Sequence, residues 1–193
     1  MVRTLSNGVK VAFVGITTPE SFTKSTPKYF QDDNGNYIYG ISGGADGQAL
    51  YADVQAAIEN AKAAGADYII ALGHLGVDPS SSPWTSREVI ANTTGLDAFI
   101  DGHSHTKMAK ELVKDKDGKD VVLTQTGSYL KNVGVLTIDA DGNIDTELLS
   151  ARAWLASGER LGLDVSEELI KSFVGRTADA VTSMLIERLG ITA

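Results

Sequence analysis

The apolar positions of this chain follow two periods. Val9, Val11, Ala12, Phe13 and Val14 form a run bounded by Asn7-Gly8 and Gly15, which predicts a first core strand over 9–15. A second continuous run spans 67–72, the pattern of a strand covered on both faces of a sheet. A third strand is expected over 96–100. Between the first two, Tyr51, Val54, Ile58 and Ala61 recur at steps of three, four and three. That spacing, in Ala-rich sequence stopped by Gly65, predicts a helix. A shorter helix is expected around 85–91.

Downstream, 107–114 and 121–126 flank the charged, Gly-containing stretch Asp115 to Lys119 and predict a hairpin. A further strand over 133–139 closes at Asp141-Gly142-Asn143, so the segment up to about residue 150 reads as antiparallel sheet. From 165 to 189, Leu169, Phe173, Val181, Leu185 and Leu189 share one helical face, with Asp164 and Glu167 placed to cap it. Residues 17–47 break both periods. Pro19, Pro27, Asp32-Asp33-Asn34-Gly35-Asn36 and Gly43-Gly44 form a long excursion, with one short β piece expected over 37–41. Excursions of this length often form lids or rims.

The order strand, loop, helix, strand, helix, strand places the chain in the α/β class. Its 193 residues suffice for one hydrophobic core. The absence of Cys removes disulfides, thiolate metal centres and thiol nucleophiles. Seventeen Lys and Arg against 25 Asp and Glu give a net charge of −8, which argues against binding a nucleic-acid polymer. No apolar run reaches the roughly 18 residues of a transmembrane helix.

With three His in the chain, any imidazole-based metal chemistry draws on a very short list. All three His follow predicted strands directly: His74 in Gly73-His74-Leu75-Gly76, and His103 and His105 in Gly102-His103-Ser104-His105. Ligands collect at the carboxyl ends of strands in such sheets. Three imidazoles could thus meet at one mouth and hold Zn, Mn or a similar ion. The competing reading is that they are surface or capping residues.

Asp97 and Asp101 bracket the third strand; Asp101 either orients a ligand His or caps a turn, and Asp78 poses the same choice. Ser104 lacks a nucleophile elbow and reads as a spacer. Trp84 and Tyr129 read as rim or core aromatics with stacking as the alternative. Gly43-Gly44 with Gly47 lacks the Lys-Ser/Thr of a phosphate loop.

The pieces Gly73-His74-Leu75-Gly76 and Asp101-Gly102-His103-Ser104-His105-Thr106 resemble the closing motifs of the calcineurin-like metallophosphoesterases, most closely the 5′-nucleotidase branch. Phe13 to Glu20 and Gln125 to Tyr129 resemble the flanking segments. The resemblance implies a partial α/β/β/α sandwich with mixed sheets over 1–150, followed by a linker and interdomain helix over 151–193. It implies two divalent ions, with His74 and His103 on one and His105 on the other. It also implies hydrolysis of a nucleotide or related phosphate ester by a metal-bridging hydroxide, as two-metal sites perform, and an extracellular, periplasmic or cell-surface location.

The family's opening motifs, a first Asp-x-His, then Gly-Asp and Gly-Asn-His, have no counterpart ahead of these pieces. The expectation is a C-terminal half of a catalytic domain that lacks its bridging carboxylate. Such a half would be inactive alone, with core surface left for the missing N-terminal half. The rival expectation is a non-catalytic metal-binding or assembly module. A site built on the three His alone would need Glu20 or Asp78 as its base.

Overall fold

A computed structural model of the chain describes residues 1–150 and residue 166. The expected helix over 165–189 and the linker before it lie outside the described residues, Ser166 apart.

The doubly apolar runs form the middle of a six-stranded mixed sheet. Its strands are β1 (Val2–Thr4), β2 (Lys10–Thr17), β3 (Tyr68–His74), β4 (Ala98–Asp101), β5 (Lys107–Lys114) and β6 (Asp120–Thr126), in spatial order β1-β2-β3-β4-β6-β5. β2, β3, β4 and β6 run parallel, and the two outer strands run antiparallel to their neighbours. The parallel centre aligns the carboxyl ends of β3 and β4.

Alternation divides each inner strand between two layers. Ala12, Val14, Ile16, Ile69, Ala71, Phe99, Val121 and Leu123 face α2 (Gln48–Ala63) and α3 (Ser86–Asn92). Val11, Ile70, Ala98 and Val122 face the opposite way, onto Leu136, Ile138 and Ile144. Those residues belong to a second sheet, the antiparallel pair β7 (Asn132–Ile138) and β8 (Ile144–Ser150). The described residues therefore stack as helices, sheet and sheet, three layers of the expected sandwich.

The local signals account for the helices. The apolar stripe of α2 is buried at Leu50, Tyr51, Val54, Ile58 and Ala61. α3 begins with a capping box, in which Thr85 accepts from the Glu88 N–H while the Glu88 side chain accepts from the Thr85 N–H.

Two expectations are corrected. The piece at 37–41 is not a strand; Tyr37 makes only an isolated bridge to Gln31. The excursion instead carries α1 (Ser21–Lys24) and a 3₁₀ turn at Pro27–Phe30, drawn together by Phe22 packing edge-on against Phe30 and Tyr37. The hairpin strand β6 is also not confined to antiparallel pairing. It inserts beside β4, because Val121, Val122 and Leu123 are apolar on both faces and need an inner position. β1 and β8 were not anticipated: β1 is short and mostly exposed, and β8 alternates with polar residues.

Phe99 is fully buried under the helices. Phe99→Ala is expected to lower unfolding free energy by about 3–5 kcal/mol, the cost of a cavity in a close-packed core. Chemical denaturation with an unchanged m-value would check this.

Candidate metal centre

The site forms where β3 and β4 end side by side. Gly73 is required by that closeness: a Cβ there would lie 2.2 Å from Phe99 Cε1 and 3.2 Å from Asp101 Oδ1. Two turns then bring the His-bearing loops together. At Gly76 the backbone takes a φ of +80°, and a Cβ would lie 3.2 Å from the Ser104 nitrogen. At His103, φ is 75° and the Ser104 N–H donates to the Gly102 carbonyl at 3.0 Å, closing a γ-turn. His105 also has a positive φ, 54°. Left-handed backbone at non-glycine residues carries strain that surrounding structure must hold.

A buried polar network does the holding. Asp101 Oδ1 accepts from the Leu75 N–H at 2.9 Å, and its Oδ2 accepts from Gln125 Nε2 at 3.0 Å. Gln125 Oε1 accepts in turn from Ser104 Oγ and the Thr106 N–H. Ser104 Oγ accepts from the Val77 N–H. One network thus joins the ends of β3, β4 and β6 on either side of the imidazoles. Asp101 acts on the backbone beyond His74 rather than hydrogen-bonding a ring. Gln125 was not singled out from the sequence, although a fully buried polar residue following the Val121-Val122-Leu123 run is the signal that marks it.

The His residues are placed unequally. His74 and His103 are adjacent, with ring centroids 5.0 Å apart and edge-on. Burial by surrounding protein, followed by the His103 and His105 rings, pushes the His74 pKa below 6.5, while Asp101 opposes the shift. His74 is therefore neutral near pH 7, the form that ligates metal. A Cβ on Gly102 would lie 3.3 Å from His74 Nδ1, so this glycine keeps one side of the ring open. His74 and His105 are both exposed at the surface, and His105 leans towards Tyr129, with ring centroids 6.2 Å apart.

Glu20 completes the near surroundings. Its Oε2 lies 2.7 Å from His103 Nε2 and accepts from Ser81 Oγ at 2.8 Å, while Oε1 pairs with Lys24 Nζ at 2.7 Å. Burial raises the Glu20 pKa, but the hydrogen bonds from Lys24, Ser81 and His103 outweigh it and hold the carboxyl below its ordinary value. Glu20 arrives from the end of β2, where the Thr18 N–H donates to the His74 carbonyl at 3.1 Å.

The remaining candidates take structural roles. Asp97 accepts from the Ile69 N–H and Lys119, and Asp78 accepts from the Ser80 N–H in a turn. The Trp84 indole donates to the Gly44 carbonyl, and Gly43 lies against Pro19, so these glycines tie the end of the excursion to its start and to the loop before α3.

Two adjacent imidazoles with an open approach suit a borderline divalent ion. Among the described residues, no group of three or more His, Asp or Glu is arranged to hold an ion by itself. The same residues contain no helix long and apolar enough to cross a membrane.

No family model matches the chain, and no curated protein matches it. Among solved structures, it is similar to the calcineurin-like phosphoesterase YfkN from Bacillus subtilis, with 19% identity and a TM-score of 0.56, covering 99% of this chain and 58% of that one. It also aligns with a protein designated a 5′-nucleotidase from Staphylococcus aureus, solved with alpha-ketoglutarate. That match has 20% identity and a TM-score of 0.48, over 78% of this chain and 29% of the other. The chain thus spans just over half the length of the phosphoesterase whose architecture it shares. The mixed six-stranded sheet, the second sheet packed on it and the loops at the ends of β3 and β4 together have the calcineurin-like phosphoesterase fold.

Proposed function

We propose that this chain carries part of the metal centre of a phosphoesterase acting on nucleotides or related phosphate esters. His74 and His103 would hold one divalent ion and His105 a second. The reading is carried by the adjacency of His74 and His103 at the carboxyl ends of parallel strands, in a fold shared with a phosphoesterase. Ions bound there would activate water and stabilise charge on the phosphate.

The chain's own residues perform narrower tasks. His74 stays unprotonated because its surroundings disfavour charge. Asp101 and Gln125 fix the two loops that carry the imidazoles. The remaining ligands, a carboxylate among them, would come from a complementary N-terminal half of the domain. The isolated chain is accordingly inactive.

A second reading, a non-catalytic metal-binding or assembly module, is favoured by one observation: no three ligand side chains converge among the described residues. Calorimetry and turnover assays separate the two. Zn²⁺ or Mn²⁺ binding to the purified chain is expected to weaken at least about tenfold in His74→Ala and in His103→Ala. Hydrolysis of a nucleoside monophosphate is expected to stay at background for the chain alone and to appear when the complementary half is added. Ion binding indifferent to both substitutions would overturn the site. Metal-dependent turnover by the chain alone, lost in His103→Ala, would overturn the claim of inactivity.

Acid sensitivity provides a separate check on His74. Its folded pKa lies below 6.5, so the unfolded chain takes up this proton first as pH falls. Stability is then lost as pH drops below about 6.5 towards the folded pKa. In metal-free buffer the melting temperature is expected to decline from pH 7.5 to 5.5. His74→Asn is expected to flatten part of that decline.

A further inference from the structure

We propose that Glu20 is a positioning residue for His103, holding its ring in the tautomer that leaves Nδ1 free to bind an ion. This rests on the reading of His103 as a metal ligand.

The argument begins with the inventory of partners. A carboxylate that is ionised offers only acceptors. Glu20 acts as an acceptor to its other partners: Oε1 pairs with the Lys24 ammonium at 2.7 Å and Oε2 accepts from Ser81 Oγ at 2.8 Å. The ring nitrogen 2.7 Å from its Oε2, His103 Nε2, must therefore carry a proton. In a neutral imidazole the lone pair then sits on Nδ1. A carboxylate behind a ligating His also makes the ring a better base and limits its rotation.

Glu20 is itself held. Oε1 is occupied by Lys24, one helical turn further along α1, and Oε2 is shared between His103 and Ser81. The Glu20 N–H donates to Thr18 Oγ1 at 3.2 Å, and the Thr18 N–H donates to the carbonyl of His74. The carboxylate that orients His103 is therefore tied through two residues to the backbone of its neighbour His74. An isolated surface glutamate would rotate away from the ring, and this one has no room to do so, with only 9% of its side chain exposed. Sequence separation makes the contact specific to the fold: His103 lies 83 positions after Glu20.

The test is tautomer-resolved ¹⁵N NMR of the imidazoles in the full chain, first without metal and then with Zn²⁺ added. In the wild-type chain, His103 is expected as the Nε2–H form, and Zn²⁺ is expected to perturb its Nδ1 resonance. Glu20→Ala is expected to redistribute the proton between the two nitrogens and to weaken Zn²⁺ binding about 10–100-fold. Glu20→Gln keeps an acceptor oxygen and is expected to retain most of the Nε2–H form, with a smaller loss of affinity. It also serves if the alanine variant does not fold. Ser81→Ala removes a partner of the carboxylate without touching the ring, and is expected to leave the tautomer in place.

The outcomes are distinguishable. If Zn²⁺ perturbs no His103 resonance in the wild-type chain, the metal reading falls and the positioning role falls with it. If Zn²⁺ binds at His103 while both Glu20 variants keep the wild-type tautomer and affinity, the metal reading survives and the positioning role is overturned.

Discussion

The buried Asp101 carboxylate accepts the Leu75 N–H with one oxygen and the Gln125 amide with the other. The rest of the site depends on that bridge. A buried carboxylate is costly unless its oxygens are satisfied, so the bridge is stable only when the ends of β3, β4 and β6 are in register. Once they are, Gln125 has its own oxygen free to hold Ser104 and Thr106. The left-handed turn at His103 adjoins this frame, with the next residue, Ser104, bonded to both Val77 and Gln125. Strain in the loop is thus borne by a network in the core beneath it.

The sheet makes the bridge possible. Parallel pairing of β3 with β4 and of β4 with β6 places three carboxyl ends along one edge. Gly73 permits the approach, since Phe99 and Asp101 occupy the space that a side chain would take. Phe99 also anchors β4 under the helices. Packing and chemistry therefore meet at one point: the residue that fills the core lies two positions before the residue that organises the site.

Electrostatics separates the two adjacent imidazoles. His74 is kept neutral by the protein around it and by the other rings, despite the opposing pull of Asp101. His103 faces a charged Glu20 instead. Two side chains of one kind, 5.0 Å apart, thus meet opposite surroundings. His105 lies further out beside Tyr129 and belongs to the rim.

Much of this was legible in the chain itself. The run over 67–72 announced a strand dry on both faces, and the spacing of Tyr51, Val54, Ile58 and Ala61 announced α2. The placement of every His after a strand pointed to one edge of a sheet. Periodicity could do this because it records which faces of an element exclude water. It carries no record of which distant element supplies the other surface. Only the tertiary structure decided that β6 lies beside β4, that β7 and β8 cover the far face, and that Gln125 joins Asp101. The same holds for Glu20, whose neighbours in sequence read as a turn and whose partner is His103. These contacts arise from the closure of long loops around a shared core, where burial makes unpaired polar groups costly and so selects their partners.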